Sequence, residues 1–101
     1  MRVITQRVVK AWLAGKRLTL SNTRTDGTAV FLFGNRIAER RADGSVWVCD
    51  GGHPTATTRE RLNGIFRSLD VPMYASQRAY TMHLTDHSIT QPWDGEWRRV
   101  K

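Results

Sequence analysis

The sequence predicts a single α+β domain in which two helices pack on a mostly antiparallel sheet. Three observations predict it. Two stretches with helical spacing stand at either end of the first seventy residues. Between them, Asp26-Gly27, Gly34-Asn35 and Asp43-Gly44 mark turns about nine residues apart. Turns at that spacing between apolar runs read as a meander. Finally, 101 residues of which 40% are hydrophobic and 25% charged make one domain and not two.

The first helix is expected over 3–14. Ile4, Val8 and Trp12 recur at four-residue spacing with Val9 and Leu13 beside them, and Gly15 is placed to end it. The meander is expected over 17–49. "RLTLS" puts Leu18 and Leu20 on one face. "TAVFLF" is apolar on both faces, with Val30 and Leu32 on one and Phe31 and Phe33 on the other, the latter pair read as core under a helix. "RIAERR" and "SVWVC" complete four strands. A second helix over 58–70 follows from Leu62, Ile65, Phe66 and Leu69, with a capping box in which the Thr57 hydroxyl takes the Glu60 amide and Glu60 reaches back. Pro72 stops it. The segment 74–100 reads as strands near 74–84, 88–92 and 96–100, with Tyr80, Met82 and Leu84 on one face and Trp93 and Trp97 clamping a terminal hairpin.

"NTRTDGTAVFLFGNRIAERRADG", "GG-P-TTRERLNGI" and the terminal "WDGEW" resemble a family of small proteins encoded by tailed bacteriophages and prophages. The likeness covers residues 22–66 well and the last ten weakly. It departs at His53, where the family pattern has a large aromatic, which argues against a special role for His53. The resemblance implies a phage accessory protein at work in the infected host's cytoplasm. It implies no particular activity.

Charge is the strongest compositional signal. Sixteen Lys and Arg stand against nine Asp and Glu, a net +7. All of the excess lies in residues 1–41, where Arg2, Arg7, Lys10, Lys16, Arg17, Arg24, Arg36, Arg40 and Arg41 meet only Asp26 and Glu39. An Arg-rich half-domain suits an acidic partner: nucleic acid, a nucleotide or an acidic protein surface. The bland alternative is a solvated face. No apolar run approaches the ~18 residues of a membrane span and no secretory leader is recognisable, so no membrane partner is expected.

Three local sites carry chemistry worth weighing. The loop "DGGHPTATTRER" could hold an anion on Gly51, Gly52, Thr55, Thr57, Thr58, Arg59 and Arg61 at a helix N-terminus, or simply start that helix. Cys49, His53, His83 and His87 make four candidate ligands, but extended His83 and His87 would lie about 13 Å apart, so no metal is expected. The single cysteine excludes an internal disulfide. No motif sets a nucleophile beside a base, so no enzyme and no cofactor are expected. The reading reached is a non-enzymatic phage accessory protein binding an anionic component, with counter-defence as its setting. The alternatives are sequestration of a small nucleotide signal at the second helix, and a protein-interaction module or homodimer without a nucleic-acid role.

Overall fold

The computed structural model describes all residues, Met1 to Lys101. The chain forms α1 (Val3–Leu13), β1 (Leu18–Leu20), β2 (Thr23–Thr25), β3 (Ala29–Leu32), β4 (Asn35–Arg40) and β5 (Val46–Val48). There follow α2 (Ala56–Leu69), β6 (Met73–Arg78), β7 (Thr81–Asp86), β8 (Ile89–Pro92) and β9 (Arg98–Arg99). The expected α+β class is found, but the strands form two antiparallel sheets. One has six strands in the order β1-β2-β3-β4-β5-β9, the other three in the order β6-β7-β8.

The core lies between the large sheet and the helices. Val8, Val9 and Trp12 of α1 and Leu62, Ile65, Phe66 and Leu69 of α2 meet Val30, Leu32, Ile37, Ala38, Val46 and Val48 from the sheet. Ala75 and Leu84 join from the small sheet. Each such fully buried aliphatic or phenyl side chain contributes roughly 1.5–3 kcal/mol relative to exposure. The Trp12 indole N–H, which burial would otherwise leave unpaired, donates to the Thr28 carbonyl at 2.7 Å.

α1 ends as Gly15 predicts. Gly15 takes φ +70, its N–H donates to the Trp12 carbonyl and that of Lys16 to Ala11, which closes a Schellman motif. Leu13, expected on the buried stripe, is exposed beyond it. α2 starts two residues earlier than expected. Thr55, not Thr57, is the cap, its hydroxyl accepting from the Thr58 N–H at 3.2 Å. Glu60 does not cap its own helix. It lies at the N-terminus of α1, accepting from the Arg2 N–H at 3.4 Å and from the Thr5 hydroxyl. α1 has no side-chain cap of its own, so this carboxylate, favoured there by the helix dipole, comes from its neighbour.

Five further expectations are corrected. β2 was not expected, because "TRT" is polar by sequence. Thr23 and Thr25 are nonetheless buried, with Thr25 Oγ1 accepting from Gly27 N–H and donating to the Ala29 carbonyl. The second hairpin turn is Phe33-Gly34 (φ +51 and +82), with Leu32 opposite Asn35, a two-residue turn of the type favoured by sheet twist. Phe33 is therefore not core; it is 62% exposed. Tyr80 sits in the Ala79-Tyr80 turn, 97% exposed, not beside Met82 and Leu84 on a strand. The C-terminal segment holds four strands, and β9 leaves the small sheet to pair with β5.

Candidate functional site

The loop 50–61 serves mainly to start α2 and lock it in place. Asp50 Oδ1 accepts the Gly52 N–H at 2.7 Å, and the Asp50 N–H donates to the Gly95 carbonyl at 3.1 Å. Gly51 lies against β4, where a Cβ would stand 3.2 Å from that of Asn35. Thr58 is fully buried, its hydroxyl donating to the His53 carbonyl at 2.6 Å. Arg61, expected at an anion site, is 2% exposed and turned inward. Its guanidinium donates to Thr23 Oγ1 at 2.9 Å, Thr5 Oγ1 at 3.0 Å and Asn22 Oδ1 at 3.1 Å, and pairs with Glu60 at 2.5 Å. It ties α2 to α1 and β2. Thr55, Thr57, Gly52 and Arg59 stay at the surface to varying degrees, with Arg59 Nη1 donating to the Pro54 carbonyl at 3.4 Å.

The metal candidates do not converge. No three of the His, Cys, Asp and Glu side chains are grouped to hold an ion. The buried Cys49 thiol donates to the Arg36 carbonyl at 3.1 Å, and burial raises its pKa, keeping it protonated. His53 is exposed before α2, His83 lies on β7 with its ring against the Thr81 carbonyl, and His87 in the next turn pairs with Asp86.

The nine early bases do not share one face. Arg40 is structural: it donates to the Gly27 and Trp12 carbonyls at 3.1 Å each, with its guanidinium 5.3 Å from the Trp12 ring. Arg7, Lys10 and Lys16 surround a shallow concavity floored by Ala11, Ala14 and Leu18. Arg17 is exposed just before β1, and Arg2 lies at the start of α1. Arg24, Arg36 and Arg41 form a second group with a sharper geometry.

That group is built on the outer face of the large sheet, opposite the core. Strand alternation makes it: Val30 and Leu32 point inward, so Phe31 points out. Register places Arg24 of β2 and Arg36 of β4 on either side of Phe31. The Arg24 guanidinium lies 3.8 Å from the ring centroid and that of Arg36 5.7 Å. Phe31 is 8% exposed beneath these arginines. It is covered on this face by cations and not, as expected, by a helix. A bulge at Ile37, between the pairs Phe31–Arg36 and Val30–Ala38, lets two successive residues of β4, Ile37 and Ala38, both face the core. Further along, Arg41 lies 3.8 Å from the Trp47 ring and 6.0 Å from Trp97, while Arg99 of β9 pairs across from Trp47.

Arg24 and Arg36 form no ion pair; Arg41 reaches Glu39 at 3.6 Å. Two carboxylates flank the face in its turns. Backbone N–H groups of Ala29 and Thr28 hold Asp26 below the usual carboxylate range, with a smaller pull from Arg36. The Ser45 hydroxyl and N–H do the same for Asp43. Both carboxylates are thus engaged by their own turns. The face is a row of guanidinium groups and aromatic rings with one carboxylate among them, Glu39, which lies across from Trp47 and pairs with Arg41.

Sequence reasoning missed Phe33, Trp47, Trp97 and Arg99 as members of a surface. Alternation was the available signal, but a strand apolar on both sides does not declare which side the helices cover. The terminal hairpin that Trp93 and Trp97 were expected to clamp does not form, because β8 stays in the small sheet and β9 pairs with β5; Trp93 Nε1 instead donates to the Glu96 carbonyl at 3.1 Å in the segment between them. No helix is long and apolar enough to cross a membrane.

The phage-like motifs of the sequence turn out to knit the fold. Gly27 packs where a Cβ would be 2.7 Å from the Gly15 carbonyl oxygen, Gly51 packs on β4, Arg61 binds Asn22 and Thr23, and Gly95 abuts Asp50. No curated protein and no solved structure matches the chain. The chain belongs to the Kyanoviridae Gp96 protein family, whose model matches residues 1–99, and is thereby a member of a small phage-associated protein family.

Proposed function

We propose that this phage protein is a non-enzymatic accessory protein that binds nucleic acid on the outer face of its large sheet. The observation that carries the reading is the row Arg24, Phe31, Arg36, with guanidinium planes exposed, free of carboxylate partners and held against an aromatic ring. Arg41 and Arg99 extend the positive surface beside Trp47. Guanidinium groups in such an array contact phosphates, and their outward planes offer stacking surfaces to bases.

Fluorescence anisotropy with labelled single strands and duplexes at two salt concentrations tests it. Binding is expected to weaken steeply with salt. Arg24→Ala with Arg36→Ala is expected to lower the slope of log K against log salt by about two. Absence of binding to either form at low salt removes the reading.

A protein target is the second reading, supported by the concavity in which Arg7, Lys10 and Lys16 ring an apolar floor. An acidic protein face fits that chemistry. Either surface would serve to obstruct a nucleic-acid-handling defence complex. Support for that counter-defence setting comes from the family's phage association alone. Capture of a small nucleotide at the start of α2 loses support, because Arg61 and Thr58 are committed inside the fold.

A further inference from the structure

Phe33 combines three features that fold stability alone does not favour. It is a large exposed aromatic, it stands in the left-handed region at φ +51, and it occupies a turn position for which Gly or Asn is the ordinary residue. Its conformation is held from outside the hairpin: the Phe33 N–H donates to the Asn22 carbonyl at 2.8 Å. That bond ties the β3–β4 turn to the β1–β2 turn, where Ser21 is also left-handed at φ +56. Between the two turns lies a cleft of about 130 Å³, whose lining includes Thr19, Ser21, Asn22, Arg24 and Phe33. Four of those five side chains are polar, and Arg24 also belongs to the cationic row.

We propose that this cleft receives one unpaired base of a single-stranded nucleic acid, stacked on the Phe33 ring. The hydroxyls of Thr19 and Ser21 supply donors and acceptors to the base edge and Asn22 Nδ2 a further donor, the Asn22 Oδ1 being taken by Arg61 and Thr23. Arg24 and Arg36 take the adjoining phosphates. A base inside a duplex has both faces covered by its neighbours, so the cleft selects single strands. The inference rests on the nucleic-acid reading and adds to it the form of the ligand. It also explains why a strained, exposed ring stands where glycine would be cheaper, since strained backbone is retained where a side chain is needed in place.

The test uses the full chain and Phe33→Gly, which removes the ring and relieves the backbone, so the variant is expected to melt no lower than the parent. Affinity for a labelled single strand is expected to fall about tenfold, with duplex affinity unchanged. Phe33→Trp is expected to retain single-strand affinity. A 2-aminopurine in the strand is expected to be quenched by the parent and not by Phe33→Gly. Equal single-strand affinity of parent and Phe33→Gly overturns the inference, while loss of binding in Arg24→Ala with Arg36→Ala would still uphold nucleic-acid binding. If the parent binds neither form at low salt, both fall.

Discussion

Gly95 lies directly against the Asp50 carboxylate, so closely that a Cβ on residue 95 would overlap it. Gly95 also takes φ +88 and accepts the Asp50 N–H on its carbonyl. Through this contact the C-terminal turn is fastened to the loop that precedes α2. Gly95→Ala combines steric overlap with a left-handed backbone. It is expected to cost about 3 kcal/mol of stability, read from the midpoint of urea unfolding. A midpoint equal to the parent's would show that the two segments can separate without loss.

Arg61 is expected to behave as a structural residue and not as a ligand contact. Arg61→Met leaves Thr5, Thr23, Asn22 and Glu60 without their shared donor. Breaking such a buried charged network costs about 3–5 kcal/mol. Hydrogen exchange should show the amides of α1 losing protection, since Arg61 and Glu60 hold that helix. Normal stability with altered nucleic-acid affinity would reverse the assignment.

Glu60 makes stability sensitive to acid. Desolvation pushes its pKa up, but hydrogen bonds from the Thr5 hydroxyl, the Arg61 guanidinium and the Arg2 N–H outweigh it and hold the group below its ordinary value of 4.5. A carboxyl with a depressed folded pKa stabilises above its unfolded pKa and loses that contribution as pH falls through the folded value. Glu60→Gln is therefore expected to be less stable than the parent at neutral pH, with the difference shrinking below about pH 4.5. Asp26 and Asp43, also depressed, should leave part of the acid sensitivity in the variant. Chemical unfolding at a series of pH values measures this, and a constant difference across the range would refute it.

Asp70 closes α2 in the left-handed conformation at φ +55, its N–H donating to Arg67 and that of Val71 to Phe66. Glycine adopts this geometry without steric cost. Asp70→Gly is expected to raise stability by about 0.5–1 kcal/mol, seen as a higher melting temperature.

Much of the fold was legible in the residues. The spacing of Val8 and Trp12 and of Leu62, Ile65, Phe66 and Leu69 defined both helices, because a helix must bury one stripe whatever its partner. Gly27, Gly34 and Gly44 marked the meander turns, because their positive φ disfavours other residues. The family likeness rested on the same local signals. What lay beyond the sequence was every choice between faces and partners. Glu60 reads locally as a cap for its own helix but caps the other one, since only docking brings the two together. Arg61 reads as a surface cation but is buried among Thr5, Thr23 and Asn22, which lie up to 56 residues away. Phe31 was apolar on a strand apolar on both sides. Tertiary packing placed the helices on the Val30 side and left Phe31 to arginines from the neighbouring strands. Local periodicity is set by backbone geometry within a few residues. Register, burial of polar groups and the uncovered face depend on contacts between distant segments, and only the folded chain decides them.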